Sequence, residues 1–181
     1  MRAIIFVLLA AAVAAAPEKR LPGEAPLTSP RGSFRIIQRS DNDVWHTTLH
    51  FTKAGLPSVV FADDYRWPAR FFASPDDQWL LQIQKSGSGD NIAFLYRIEP
   101  SGRIWRTEAP LSAAAFKYLE QSENLSTAHL YHAGLDFIGW DFPAGLLRFS
   151  IHASASQYGQ SGVNRILIYD LKKHTFRSPK P

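Results

Sequence analysis

The chain has 181 residues, which is enough for one domain with a substantial core. Hydrophobic residues make up 45% of it and aromatic residues 13%, a composition that excludes an intrinsically disordered chain and favours strands. The formal net charge of +4 is too small an excess to indicate nucleic-acid binding. The absence of cysteine means that the fold is held without disulfides.

The N-terminus has the three parts of a secretory signal peptide over residues 1–15. Arg2 supplies a positive charge, residues 4–9 begin an apolar run, and the small residues from 10 to 16 offer cleavage sites. The run is short for a bilayer span, which needs about 20 apolar residues. We therefore expect a periplasmic or secreted protein that starts at Ala15 or Ala16 and has no integral membrane segment after signal removal.

The remainder divides into a linker and one domain. Residues 16–32 carry four prolines and few large apolar side chains, which predicts an extended Pro-rich linker. From residue 33 to 181, alternating apolar runs are separated by turn-forming residues, as in antiparallel strands. A layout of strand, polar loop, strand, turn and strand occurs three times. It predicts a mainly-β fold of about three blade-like meander units, arranged as an incomplete propeller or a sandwich.

The second unit begins with a sharp corner, Ser74-Pro75-Asp76-Asp77. Ser74 suits the first position of a β-turn, Pro75 presets the backbone of the second and Asp76 suits the third. Strand alternation on either side, and in the third unit, predicts a core that includes Trp79, Leu81, Phe94, Tyr96, Leu147, Phe149 and Ile168.

Residues 69–106 follow a recognisable order: an apolar strand, Ser74-Pro75-Asp76, then Trp79-Leu80, and a later strand that contains Leu95-Tyr96. This order resembles a TolB-type β-propeller repeat, although this chain has Asp77 where the family usually has Gly. In the third unit Ile168, Tyr169 and Asp170 echo the later half of the repeat. The resemblance implies a propeller used for binding or as the accessory part of an enzyme, although propellers have 4 to 8 blades and this chain has room for about three.

One segment differs from the rest in composition. Residues 111–133 are rich in alanine and leucine and predict a helical insertion, with Ser112 as its N-terminal cap and Gly134 ending its last turn. A second short helix is expected to start at Ser126. We expect the insertion to cover one end or edge of the sheets.

The loop that contains Tyr65, Arg66 and Trp67 is the candidate binding site. These three residue types are favoured at binding hot spots, and they precede an apolar strand that could hold them rigidly. The alternative is that Tyr65 and Trp67 pack beneath the loop and only Arg66 is exposed.

The histidine pairs favour no metal site. His46 and His50 are four apart on a predicted strand, which separates them by about 13 Å. His129 and His132 are three apart on the predicted helix, with Asp136 as one candidate third ligand. A pair of histidines is a weak motif by itself, and we expect neither a metal nor another cofactor.

The carboxylates also favour structural roles. Asp41 with Asp43, Asp63 with Asp64, and Asp76 with Asp77 all fall at predicted strand ends, where aspartate bonds nearby backbone N–H groups. The sequence contains no nucleophile-elbow motif, phosphate loop or calcium loop. We therefore expect an exported non-catalytic domain that binds a protein or a glycan through end loops. The alternative is an extracytoplasmic hydrolase that uses loop carboxylates or the His129/His132 pair.

Overall fold

The computed structural model describes residues 26–127, 129–155 and 162–179, and the expected signal peptide lies outside them. Within these ranges the chain forms twelve strands and one helix. The strands are β1 (Leu27–Thr28), β2 (Phe34–Asp41), β3 (Val44–Phe51), β4 (Val59–Tyr65), β5 (Ala69–Ala73), β6 (Trp79–Lys85), β7 (Asn91–Ile98), β8 (Ile104–Arg106), β9 (Leu130–Asp141), β10 (Leu146–Ala155), β11 (Val163–Asp170) and β12 (Thr175–Arg177); the helix α1 spans Leu111–Glu123.

The strands form three open, four-stranded antiparallel sheets that follow the order of the chain. We call them the first sheet (β1 to β4), the middle sheet (β5 to β8) and the third sheet (β9 to β12). In each sheet, strands consecutive in the chain are neighbours. The prediction of a mainly-β fold with three blade-like meander units and one short helix is confirmed.

The middle sheet is covered on both faces, because alternate residues of its strands point to opposite sides. The core between the first and middle sheets contains Phe34, Ile36, Leu49, Phe61, Phe71, Leu80, Phe94 and Tyr96. The core that joins the middle sheet to the third sheet and α1 contains Phe72, Leu81, Ile83, Leu95, Leu119, Leu135, Leu147, Phe149 and Leu167. The middle sheet therefore lies between the first sheet on one face and the third sheet with α1 on the other.

The helix is shorter than the sequence predicts. It ends at Glu123, where Asn124 adopts a left-handed conformation with φ 52°, and the predicted ending residue Gly134 is buried in β9. Asparagine tolerates this conformation and so can end a helix without glycine. Ser112 does not cap the helix; its hydroxyl accepts a hydrogen bond from the backbone N–H of Ala93, and so it fastens the helix to β7. No second helix starts at Ser126.

The expected core is confirmed at six positions and wrong at one. Leu81, Phe94, Tyr96, Leu147 and Phe149 are buried, and Trp79 is partly buried against the core. Ile168 lies on the opposite face of β11, opposite Arg148, while its neighbours Leu167 and Tyr169 are buried. Residues 166–169 are four apolar or aromatic residues in a row, so alternation does not decide which face they bury.

The described end of the expected linker belongs to the first sheet. Leu27 and Thr28 pair with Ile36 and Arg35 in β2, and the Ser29 side chain is buried. Among the described residues, no helix is long and apolar enough to cross a membrane.

Candidate functional site

Three side chains lie in a row across the middle sheet. Trp79 on β6 pairs directly with Arg97 on β7, and Arg97 pairs with Trp105 on β8. Directly opposed residues point to the same face, and neighbouring strands lie about 4.8 Å apart. The row therefore consists of two indoles on either side of a guanidinium. We call it the Trp79–Arg97–Trp105 row.

The row lies where the interface between the middle and third sheets opens to solvent. Ala93 and Leu95 precede Arg97 on the same face of β7, and both are completely buried against the third sheet and α1. Arg97 is exposed, and Trp105 is 45% exposed. The same face of β7 thus changes from core to surface within two residues.

Two turns of the third sheet form the opposite wall of a cleft. The end of β9 and the turn after it contribute Trp140, Asp141 and Phe142, and the β11–β12 turn contributes Lys172 and His174. The cleft has a volume of about 480 Å³. A second hollow of about 370 Å³ is lined by Trp79, Arg97, Trp105 and His174 and so continues the first. These volumes are in the range of small-molecule sites.

The corner at Ser74 forms one end of the cleft. The Asp77 backbone N–H donates to the Ser74 carbonyl, which closes the expected β-turn. The Ser74 hydroxyl donates to Asp76 and accepts from the backbone N–H of Trp79. This network fixes the start of β6, and so it fixes the position of the first indole in the row.

Trp105 is held from two sides. Its indole Nε1 donates to the Glu99 carboxylate at 2.9 Å, and the Arg103 guanidinium carbon lies 3.4 Å from the centre of its ring. A cation over an indole face is an attractive arrangement. The ring is therefore ordered before a ligand binds, which lowers the entropy cost of stacking a ligand on the row.

The charged groups of the cleft differ in whether they already have partners. Asp76 accepts from the Ser74 hydroxyl and from the backbone N–H of Gln78, so its charge is engaged. Within the described part of the chain, the side chains of Arg97, Lys172 and Asp141 form no hydrogen bond or ion pair. The cleft therefore presents two free cations and one free carboxylate beside its aromatic rings.

Tyr169 and Asp170 support the wall formed by the β11–β12 turn. The hydroxyl of Tyr169 lies 3.1 Å from His174 Nδ1, and burial, followed by the nearby Asp170 carboxylate, raises the pKa of the phenol. The backbone N–H groups of Lys173 and Lys172 donate to Asp170, and these bonds hold the pKa of that carboxyl below its usual range.

One indole in the cleft is not held by a hydrogen bond. Among the described residues, Trp140 Nε1 is the buried side-chain donor that has no partner. Its ring packs beside Phe137, with 5.8 Å between the ring centres. The orientation of Trp140 therefore depends on packing alone.

The loop proposed from the sequence lies at the other end of the middle sheet. Tyr65 ends β4 and pairs with Trp45, while Arg66 is exposed and Trp67 is 37% exposed. The Lys85 ammonium lies 5.0 Å from the centre of the Trp67 ring. These residues precede β5 in the chain and lie beside Lys85 at the end of β6, whereas the cleft lies where β5 ends and β6 starts.

A charged hollow of about 440 Å³ adjoins that loop. The Asp136 carboxylate forms an ion pair with Arg70 at 3.0 Å and lies 3.3 Å from His152 Nδ1, so this carboxylate already has partners. Asp90 also lines this hollow and accepts from the backbone N–H of Ala133.

The histidines that the sequence singled out are separated in the structure. His129 lies in the turn before β9, and His132 lies within β9, so the expected shared helix face is wrong. His46 and His50 lie on β3, as expected, and the ring of His50 bonds the Ser58 hydroxyl. No group of three or more histidine or acidic side chains in the described residues could hold a metal ion.

The aspartate pairs have different surroundings. Asp41 ends β2 and Asp43 lies in the β2–β3 turn, and the side chains of Asp63 and Asp64 lie outside the described residues. Asp77 is buried and bonds the segment before β2, and of the paired aspartates whose side chains the structure describes, Asp76 alone lines the cleft.

The cleft combines elements that alternation assigns to separate units. Alternation assigns Trp79 to the core and does not place Arg97 and Trp105 beside it, because that requires the register of three strands. A signal was present in the two-residue spacing from Leu95 to Arg97, which changes an apolar face to a charged one. Comparison of the chain with family models, curated proteins and solved structures gives no match.

Proposed function

We propose that this chain is an exported, non-catalytic domain that binds a glycan through the cleft between the middle and third sheets. The observation that supports it best is the Trp79–Arg97–Trp105 row, two ordered indoles beside an unengaged guanidinium. Export rests on the signal-peptide pattern of residues 1–15. The β-repeat resemblance supports a binding role, since such repeats are mostly used for binding.

A glycan suits both parts of this surface. The electron-rich face of an indole attracts the C–H groups on the flat side of a sugar ring. Sugar hydroxyls both donate and accept hydrogen bonds, so they can pair with Arg97, Lys172 and Asp141 at once. The two indoles are two strands apart, on the order of 10 Å, which gives an extended ligand two stacking positions.

The test is a binding measurement on the purified mature protein. Tryptophan fluorescence and calorimetry would be followed during titration with an array of neutral and acidic oligosaccharides. We expect Trp79→Ala to lower the affinity for the sugar by at least about tenfold, which corresponds to about 1.4 kcal/mol of binding free energy. The double variant Arg66→Ala/Trp67→Ala, at the opposite end of the middle sheet, is the matched control and should bind as the wild type does.

Two results would contradict the proposal. Binding that survives Trp79→Ala but is lost in the Arg66/Trp67 variant would move the site to the opposite loop. If no oligosaccharide binds but an unfolded peptide library does, the cleft is a protein-binding site instead.

A glycoside hydrolase is the second candidate, favoured by one observation: two carboxylates, Asp76 and Asp141, line the same cleft. Such enzymes use a pair of carboxyl groups on either side of the bond they cleave. The engagement of Asp76 in its turn favours a structural role for it. Release of reducing ends from a bound oligosaccharide, abolished by Asp141→Asn, would establish the hydrolase instead.

A further inference from the structure

We propose that the ligand of this cleft is an acidic glycan, and that Arg97 binds its carboxylate. This inference depends on the proposed function and adds the chemical class of the ligand. It rests on which charged groups of the cleft lack partners and on where they lie relative to the indoles.

Arg97 is placed to recognise a carboxylate. It lines both hollows of the cleft, and its guanidinium forms no ion pair or hydrogen bond within the described residues. A guanidinium can donate two parallel hydrogen bonds to one carboxylate, a geometry that neutral hydroxyls do not match. Its neighbours Trp79 and Trp105 would stack on the sugar rings on either side of the acidic group.

The surrounding charges favour an anion. Lys172 on the opposite wall is a second unengaged cation, and exposed Lys173 follows it in the same turn. The acidic groups Asp76 and Glu99 are engaged by hydrogen bonds within the protein. Asp141 is the one carboxylate of the lining without a partner among the described residues, and its negative charge would repel an anion.

Two other basic regions fit an acidic sugar less well. The outward face of the first sheet carries Arg35, Arg39 and His46, but among its described residues it has no tryptophan on which a sugar could stack. In the hollow at the other end of the middle sheet, Arg70 is already paired with Asp136 at 3.0 Å.

The experiment compares one oligosaccharide in two charge states. An oligogalacturonate and its fully methyl-esterified form have the same rings, but only the first carries carboxylates. Calorimetric titration of the wild-type protein at low salt should give at least about tenfold tighter binding of the acid form. Arg97→Gln should remove this preference, so that the acid form binds no more tightly than the ester. Arg97→Lys should restore part of it, because the charge returns without the paired hydrogen bonds.

Two further variants test the charge argument. Asp141→Asn removes the opposing charge and should tighten binding of the acid form more than it changes binding of the ester. Arg66→Gln, an exposed arginine at the opposite end of the sheet, should change neither. Thermal melts of each variant confirm that it is folded before its affinity is compared.

The outcomes separate this inference from the proposed function. Equal affinity for the two forms, or a preference for the acid that persists in a folded Arg97→Gln protein, overturns the acidic-glycan inference and leaves glycan binding intact. Binding of neither form, together with no binding of any other oligosaccharide, overturns both.

Discussion

Ser33 donates two hydrogen bonds to Asp77, one from its hydroxyl at 2.6 Å and one from its backbone N–H at 3.1 Å, although 44 residues separate them. Asp77 also accepts from the Ser29 hydroxyl and from the backbone N–H of Arg31. One buried carboxylate therefore ties the start of the first sheet to the corner of the middle sheet. That corner also fixes Trp79, so the same turn holds the fold and places the cleft.

Replacing Asp77 should loosen the first sheet. Every group bonded to this carboxylate is a donor, so the amide of Asp77→Asn would place its own N–H groups against N–H and O–H groups. We expect a loss of about 2–4 kcal/mol in the free energy of unfolding, measured in urea. Hydrogen exchange at the Arg31 and Ser33 amides should quicken. Asp41→Asn, at the exposed end of β2, is the control. If both variants change the free energy of unfolding by less than about 0.5 kcal/mol, the Asp77 carboxylate does not hold the two sheets together.

The sequence predicted the repeat better than it predicted the connections between units. Alternation identified the strands of the middle sheet because their apolar residues recur at period two. It missed Leu27 and Thr28, since two residues among prolines show no period, and the segment after them is bonded to the distant carboxylate of Asp77. It extended the helix into β9 because residues 125–133 contain no strong turn signal, and the asparagine that ends the helix is less distinctive than glycine. The cleft could not be predicted because its walls come from separate sheets.

Truncating Leu81 tests the core between the middle and third sheets. Leu81 is completely buried, so Leu81→Ala should cost about 2–5 kcal/mol through lost contacts and the cavity it leaves. Val60, on β4, is 66% exposed and provides the control, since Val60→Ala should change stability by less than about 0.5 kcal/mol. Urea denaturation of both variants measures the difference. Equal effects would mean that the assigned faces are wrong.

Tyr169 should make the protein less stable at alkaline pH. Burial, followed by the Asp170 carboxylate, raises the pKa of its phenol in the folded protein. The unfolded chain loses this proton near pH 10, about the ordinary value for tyrosine, whereas the folded chain retains it. The stability linked to this group is complete below that pH and is lost as the pH rises through the folded pKa.

Tyr169→Phe removes this group while keeping the ring. Free energies of unfolding measured from about pH 8 to pH 11 should therefore fall less steeply in the variant than in the wild type. Identical slopes would show that Tyr169 ionises as readily in the folded protein as in the unfolded chain.

The loop containing Tyr65, Arg66 and Trp67 stays a predicted binding site, separate from the cleft. If it binds a protein partner, Arg66→Ala/Trp67→Ala should weaken the binding free energy by more than about 1 kcal/mol. Capture of that partner from an extracytoplasmic extract should then fall, while the melting temperature stays unchanged. The Trp79→Ala variant is the reciprocal control and should capture it normally. Unchanged capture by the double variant would remove the loop from any binding role.

The most direct test of glycan binding at the cleft uses the five tryptophans as reporters, because each gives its own indole N–H signal in a nitrogen–proton correlation spectrum. Trp79, Trp105 and Trp140 line the cleft, whereas Trp45 pairs with Tyr65 and Trp67 lies at the opposite end of the middle sheet. During titration with the oligogalacturonate, we expect the signals of Trp79, Trp105 and Trp140 to shift together and saturate while those of Trp45 and Trp67 stay in place. Saturable shifts confined to Trp67, or no saturable shift at any indole with any oligosaccharide, would contradict glycan binding at the cleft.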